Sequence, residues 1–122
     1  MSEEDAAGHG VLEAIKVKML ILGSEDSPMS IRLEFSSECD LFFHYIHTID
    51  ETGYRDVQSS QKLMVEFSDY PNVLLRMLNA CIREPHVHLA IFTLIGDQDA
   101  RLDFIQNMEY KFVDLMTCLC SR

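Results

Sequence analysis

Apolar and polar residues alternate with a period of two over much of the chain. In IKVKMLI, Ile15, Val17, Met19 and Ile21 alternate with Lys16, Lys18 and Leu20, a pattern that predicts a half-buried β-strand. The cluster GSEDSP at 23–28 predicts a turn. MSIRLEFS then resumes the alternation, with Met29, Ile31, Leu33 and Phe35 facing in and Ser30, Arg32 and Glu34 facing out. Together the two runs predict a β-hairpin. LFFHYIHTI at 41–49 is apolar on both faces, so a third strand covered on each side is expected.

The middle of the chain changes period. Asp50 is placed to cap a short helix reaching about Gln61, with Tyr54 and Val57 three apart on one face. Leu63, Val65 and Phe67 of QKLMVEFSDYP alternate as a fourth strand would. Ser68 and Asp69 are candidate caps, and Pro71 suits a first helical turn, where its missing N–H is harmless. Val73, Leu74, Met77, Leu78, Cys81 and Ile82 then fall on one face of an amphipathic helix that Pro85 ends. HVHLAIFTLI, RLDFIQN and KFVDLMTCLC predict a fifth, sixth and seventh strand, joined by the turns GDQDA and NMEY. The order β-β-β-α-β-α-β-β-β predicts a mainly β, α+β fold. It would be a seven-stranded antiparallel barrel or sandwich with two inserted helices across an open end or face. The abrupt Tyr70-Pro71 junction reads as structural, fixing where the second helix crosses the sheet.

Composition narrows the class. The chain has 122 residues, enough for one domain with its own core, and 48% are hydrophobic. Residues 11–122 read as that domain, and 1–10, MSEEDAAGHG, as a disordered acidic tail unlike a secretory signal. No run of 18 apolar residues exists, so no membrane-spanning helix is expected. The net charge is −10, and the ten basic residues form no cluster, which argues against nucleic acid as a partner. Cysteines at 39, 81, 118 and 120 lack a disulfide-scaffold pattern and read as thiols of a reducing, cytoplasmic compartment.

Candidate chemistry is sparse. His86 with His88, and Cys118 with Cys120, show the i, i+2 spacing that puts two ligands on one side of a strand, so a zinc site is conceivable. Packing is the commoner reason for such pairs, and no metal is expected. A G-x-S-x-G elbow and a phosphate-binding glycine loop are both absent. Glu66 and Asp69 stand singly, as solvated carboxylates do, and His44 and His47 read as strand-surface residues. No catalytic, cofactor or metal residue is therefore assigned, and the chain does not read as an enzyme. The aromatic stretches DLFFHYIHTI and EYKF lack the basic groove that stacking on single-stranded nucleic acid requires, so core packing is their expected role.

The stretch CDLFFHYIHTIDETGYRDVQSSQKLMVEFSDYPNVLLRMLNAC (39–81) resembles the motif region of the N-terminal head in the spindle assembly abnormal protein 6 family, which builds the centriolar cartwheel. The shared skeleton is Asp40, Phe42, Phe43, Tyr45, Ile49, Glu51, Tyr54, Gln61, Leu63, Val65, Phe67, Tyr70-Pro71, Leu78 and Cys81. ARLDFIQNMEYKFVDLMTCL (100–119) follows the family's last hairpin without a gap.

The resemblance implies a β-barrel head with inserted helices, followed in the family by a long parallel coiled coil. Family heads meet through a weak symmetric contact, so that nine dimers close into a ring with spokes. A bulky apolar residue at the tip of the last hairpin, often Phe, enters a hydrophobic pocket of the neighbouring head. Tyr110 stands at that tip here, so Tyr110 with Met108, Glu109 and Lys111 forms the expected self-association site. Tyr in place of Phe brings a hydroxyl that must be accommodated. No heptad tract lies within the 122 residues. The expectation is a cartwheel head, or a member of the shorter branch without a coil that is associated with basal bodies, flagella or apical structures. Its partners would be weakly bound copies of itself and other centriolar or basal-body proteins, in the cytoplasmic cytoskeleton. A second reading is a docking platform of the DNA end-joining scaffold type, which shares this architecture.

Overall fold

A computed structural model of the chain describes residues 14–24 and 26–122, so the expected acidic tail lies outside the described residues. The β-hairpin forms as patterned: β1 (Ile15–Gly23) pairs antiparallel with β2 (Pro28–Ser37), with Val17 opposite Phe35 and Ile21 opposite Ile31. Gly23 adopts a φ of +99° at the end of β1, where a side chain would strain the turn. Ile31, Leu33 and Phe35 are fully buried, whereas Met29, expected inside, is exposed near the turn.

The third strand is shorter than expected. β3 spans His44–Asp50 and buries one face, through Tyr45, His47 and Ile49. His44 and Thr48 on the other face are open to solvent, so the strand is covered on one side only. Leu41 and Phe42 belong to a turn before it, whose shape comes from Asp40. Its carboxylate accepts the Phe42 N–H (2.9 Å) and its carbonyl accepts the Phe43 N–H (3.0 Å).

Both helices form. α1 spans Glu51–Gln61 and is capped by Asp50, whose Oδ1 accepts the Gly53 N–H at 2.8 Å. α2 spans Tyr70–Arg83, with Pro71 in its first turn. A single 3₁₀ turn, Phe67–Asp69, leads into it, and Asp69 makes no capping bond through its side chain. Tyr54 of α1 packs on Tyr70 of α2 with ring centroids 4.6 Å apart, and on Phe67 at 5.5 Å. The junction thus clamps the two helices to each other through three buried rings. Each such side chain contributes roughly 1.5–3 kcal/mol of burial.

The remaining strands are β4 (His88–Leu94), β5 (Asp99–Met108) and β6 (Lys111–Ser121). All the strands form one antiparallel sheet in the order β1-β2-β3-β6-β5-β4. This corrects the expected seven-stranded barrel: six strands are present among the described residues, and the sheet is open, with β1 and β4 at its edges. The missing strand is the one expected at Leu63, Val65 and Phe67. Those residues do alternate in and out, but no strand pairs with them. The Val65 carbonyl is taken instead by the Tyr54 hydroxyl and by Gln58 Nε2 (3.0 Å). Side chains of α1 satisfy this backbone, so it needs no ladder.

Side chains also close the seam in the middle of the sheet. β3 and β6 share only the Ile46–Ser121 pairing. Further along β6, the Gln61 carboxamide donates to the Thr117 carbonyl and accepts the Thr117 N–H, each at 2.9 Å. His47 Nδ1 lies 2.8 Å from the Leu119 carbonyl. Opposite the seam, β5 and β6 shift register after Phe104, where Leu115 is passed over in the pairing.

Candidate self-association surface

The hairpin β5–β6 turns through two residues, Glu109 and Tyr110, with Met108 opposite Lys111 at its root. Glu109 has a φ of +22°, a region glycine enters more readily. Tyr110 is 91% exposed, and the nearby Met108 and Phe112 are 47% and 60% exposed. Three large exposed side chains therefore cluster in sequence around the tip, with Met108 and Phe112 on opposite faces of the hairpin beside Glu109 and Lys111. The other tyrosines behave differently. Tyr45, Tyr54 and Tyr70 are buried, and their hydroxyls engage Arg122 Nε, the Val65 carbonyl and His47 respectively. Among the described residues no side-chain hydrogen bond reaches the Tyr110 hydroxyl.

An apolar groove of about 420 Å³ opens where the sheet fails to close. Ile15, Val17 and Met19 of β1 form one wall, and Ala90 and Phe92 of β4 the other. Phe35 and Leu102 lie at its floor, where Phe35 and Phe92 pack edge to face with centroids 5.5 Å apart. The third side is α2. Leu78 and Cys81 are half-buried there, while Leu75, Asn79 and Ile82 make an exposed ridge at i, i+4 and i+7. Burial raises the Cys81 thiol pKa, so the thiol stays protonated.

Tip and groove are carried by the same molecule and share strand β5, which gives Leu102 to the groove and Met108 to the root of the tip. Ala90 pairs with Phe104 and His88 with Gln106, so the β4 wall runs alongside β5 toward the hairpin. Met108 lies four residues past Phe104, the partner of Ala90, about 13 Å further along the strand.

The zinc candidates are not brought together. Cys118 and Cys120 face the core of β6, and burial pushes their thiols up to about 11 and about 12. His86 sits in the turn before β4 rather than on the strand. His88 is on β4, but Cys118 pairs with Leu102, which pairs with Phe92, four residues further along β4 from His88. No group of three potential ligands converges among the described residues. Glu66, Asp69 and His44 are exposed, as read from the sequence.

His47 is the correction. It was expected on the surface and is 4% exposed. Its Nε2 is 3.1 Å from the Tyr70 hydroxyl, which is in turn 3.5 Å from Cys118 Sγ. Burial lowers the His47 pKa, which favours the neutral ring. Nδ1–H then donates to the Leu119 carbonyl and Nε2 accepts the Tyr70 O–H. The alternation of Tyr45, His47 and Ile49 was the signal available for its burial. The bonded ring, held neutral among protonated groups, ties β3, α2 and β6 together and does not line the apolar groove.

The fold and its exposed features define a class: a small β-sheet domain with inserted helices, carrying a protruding aromatic tip and an open apolar groove. Residues 1–120 match the family described as the centriolar protein SAS N-terminal domain, and the chain belongs to that family. It is 26% identical over 80 residues to the spindle assembly abnormal protein 6 homolog of Gallus gallus, a match spanning 66% of this chain and 12% of that protein. Among solved structures, an N-terminal fragment of Leishmania SAS-6 containing part of its coiled coil superposes with a TM-score of 0.77. That match is 17% identical and covers 99% of this chain and 72% of the other. A Drosophila melanogaster Sas-6 fragment, dimerised through its coiled coil, gives 0.66 at 18% identity over 98% of this chain and 69% of the other. A stabilised ceSAS-6 dimer gives 0.72 at 17% identity over 88% of this chain and 78% of the other. These structures share the fold, and those described as dimers show SAS-6 fragments pairing with copies of themselves, in the Drosophila case through the coiled coil. No helix among the described residues is long and apolar enough to cross a membrane.

Proposed function

We propose that this domain is a structural self-assembly module of the centriole, the basal body or a related flagellar or apical microtubule structure. It associates head to head by seating Tyr110 in the groove of a neighbouring copy. The observation that carries this reading is an exposed aromatic tip and an open apolar groove on one molecule, in a member of a centriolar family. The function is mechanical rather than catalytic. Other centriolar or basal-body proteins are the natural further partners, in the cytoplasmic cytoskeleton. The end-joining platform gains no support from these likenesses.

One aromatic anchor per partner makes a small interface, below roughly 1,200 Å². A dissociation constant of about 1 μM to 1 mM follows. Weak contacts become useful when many act together, and they allow wrongly placed subunits to leave. The test is sedimentation velocity from micromolar to millimolar concentration on three proteins: the unaltered chain, Tyr110→Glu and Ala90→Leu. The unaltered chain should self-associate. Tyr110→Glu puts a charge into an apolar site, and Ala90→Leu fills that site without touching the tip, so both should remain monomeric with unchanged melting. Equal association of the unaltered chain and Tyr110→Glu would refute the anchor.

A further inference from the structure

We infer that Asn79 recognises the Tyr110 hydroxyl of the neighbouring copy, making the contact selective for a hydroxyl-bearing tip over a plain phenyl ring. The inference rests on the head-to-head reading above and names the residue that tunes it. The groove is lined almost wholly by aliphatic and aromatic side chains, and Asn79 supplies its one carboxamide. It stands mid-ridge on α2, between Leu75 one turn before it and Ile82 one turn after, and is open to solvent. Among the described residues no side-chain hydrogen bond engages it.

The polar inventories match. An aromatic ring packed against Phe35, Phe92 and Leu78 leaves only its para substituent to be solvated or bonded. A hydroxyl offers one donor and two acceptor sites, and a carboxamide offers both kinds, so the pair can be satisfied in either direction. Among the described residues the exposed tip therefore carries one hydroxyl, and the groove one carboxamide, that no protein side chain engages. Cys81 is the competing partner, but its thiol is a weak donor and acceptor and lies deeper, half-buried. With Asn79 in place, a phenyl tip would desolvate the carboxamide without repaying it. Discrimination of this sort comes from leaving a polar group unpaired, which a purely apolar groove cannot do.

The experiment is a double-mutant cycle on self-association, read by sedimentation and by NMR titration, with Tyr110→Phe, Asn79→Leu and their combination. Each single variant should weaken association by about tenfold, because a two-fold contact contains the pair twice. The combined variant should return close to the unaltered affinity, since both polar groups are then gone. Melting temperatures should stay level, as both sites are exposed. Additive losses, or no loss with Asn79→Leu, would overturn the inference. So would a Cys81→Ala variant that loses affinity and couples to Tyr110→Phe in place of Asn79. Tyr110→Glu separates the two readings. If it abolishes association while Asn79→Leu is neutral, only Asn79's role fails, and if it changes nothing, the head-to-head contact fails with it.

Discussion

Gln61 and Thr117 exchange two hydrogen bonds, each 2.9 Å, in which a side-chain carboxamide does for a strand what a neighbouring backbone normally would. Gln61 is the last residue of α1, and Thr117 is in the middle of β6. The contact satisfies β6 beyond the Ile46–Ser121 pairing, where its ladder with β3 has ended. Gln61→Glu keeps the shape but cannot donate to the Thr117 carbonyl and brings a charge to a half-buried place. It should destabilise the domain by about 1–3 kcal/mol, and Gln61→Ala by a similar amount. Urea denaturation checks this; a loss under 0.5 kcal/mol, on the order of the scatter for ordinary surface changes, would mean the seam needs no such partner.

His47 sets a pH dependence. Burial holds its pKa below 6.5 in the folded domain, so the unfolded chain takes up a proton first as pH falls. The stability contributed by the neutral ring is complete above pH 6.5 and is lost progressively below it. Unfolding midpoints measured from pH 8 to 5 should therefore fall, and His47→Gln should flatten the part of the slope below 6.5. An unaltered slope in His47→Gln would assign the acid sensitivity to other groups.

Tyr70 combines burial with a hydroxyl that His47 depends on. Tyr70→Phe leaves Nε2 of His47 without its donor and should be destabilising by about 1–3 kcal/mol. Tyr70→Ala also removes the ring between the two helices and should lose about 3–5 kcal/mol. Head-to-head association should follow only the folded fraction. A well-folded Tyr70→Ala domain that no longer self-associates would move the junction onto the contact surface.

The thiols divide by depth. Cys39 is exposed and should react with an aromatic disulfide reagent in the native state, whereas Cys118 and Cys120 should react only on unfolding. Because those two thiols are held protonated and the histidines stand apart from them, a chelator should leave the melting curve unchanged. A drop in midpoint with chelator would show that a metal supports the fold.

Much of this domain was legible in the sequence because the relevant physics is local. Alternation at 15–21 and 29–35 gave the hairpin, Asp50 gave the helix cap, and the i, i+4 pattern after Pro71 gave α2. Turn residues placed Tyr110 at a tip. What alternation encodes is which side of an extended segment is buried, and it says nothing of what the backbone bonds to. That is why Leu63, Val65 and Phe67 read as a strand, although Tyr54 and Gln58 occupy the backbone that a ladder would need. The same blindness hid His47, whose partners Leu119 and Tyr70 lie far away in sequence, and the Gln61–Thr117 seam. The groove was decided by tertiary structure alone. It exists because β1 and β4, distant in the chain, end as the two edges of one sheet that does not close, and α2 bridges only part of the gap between them.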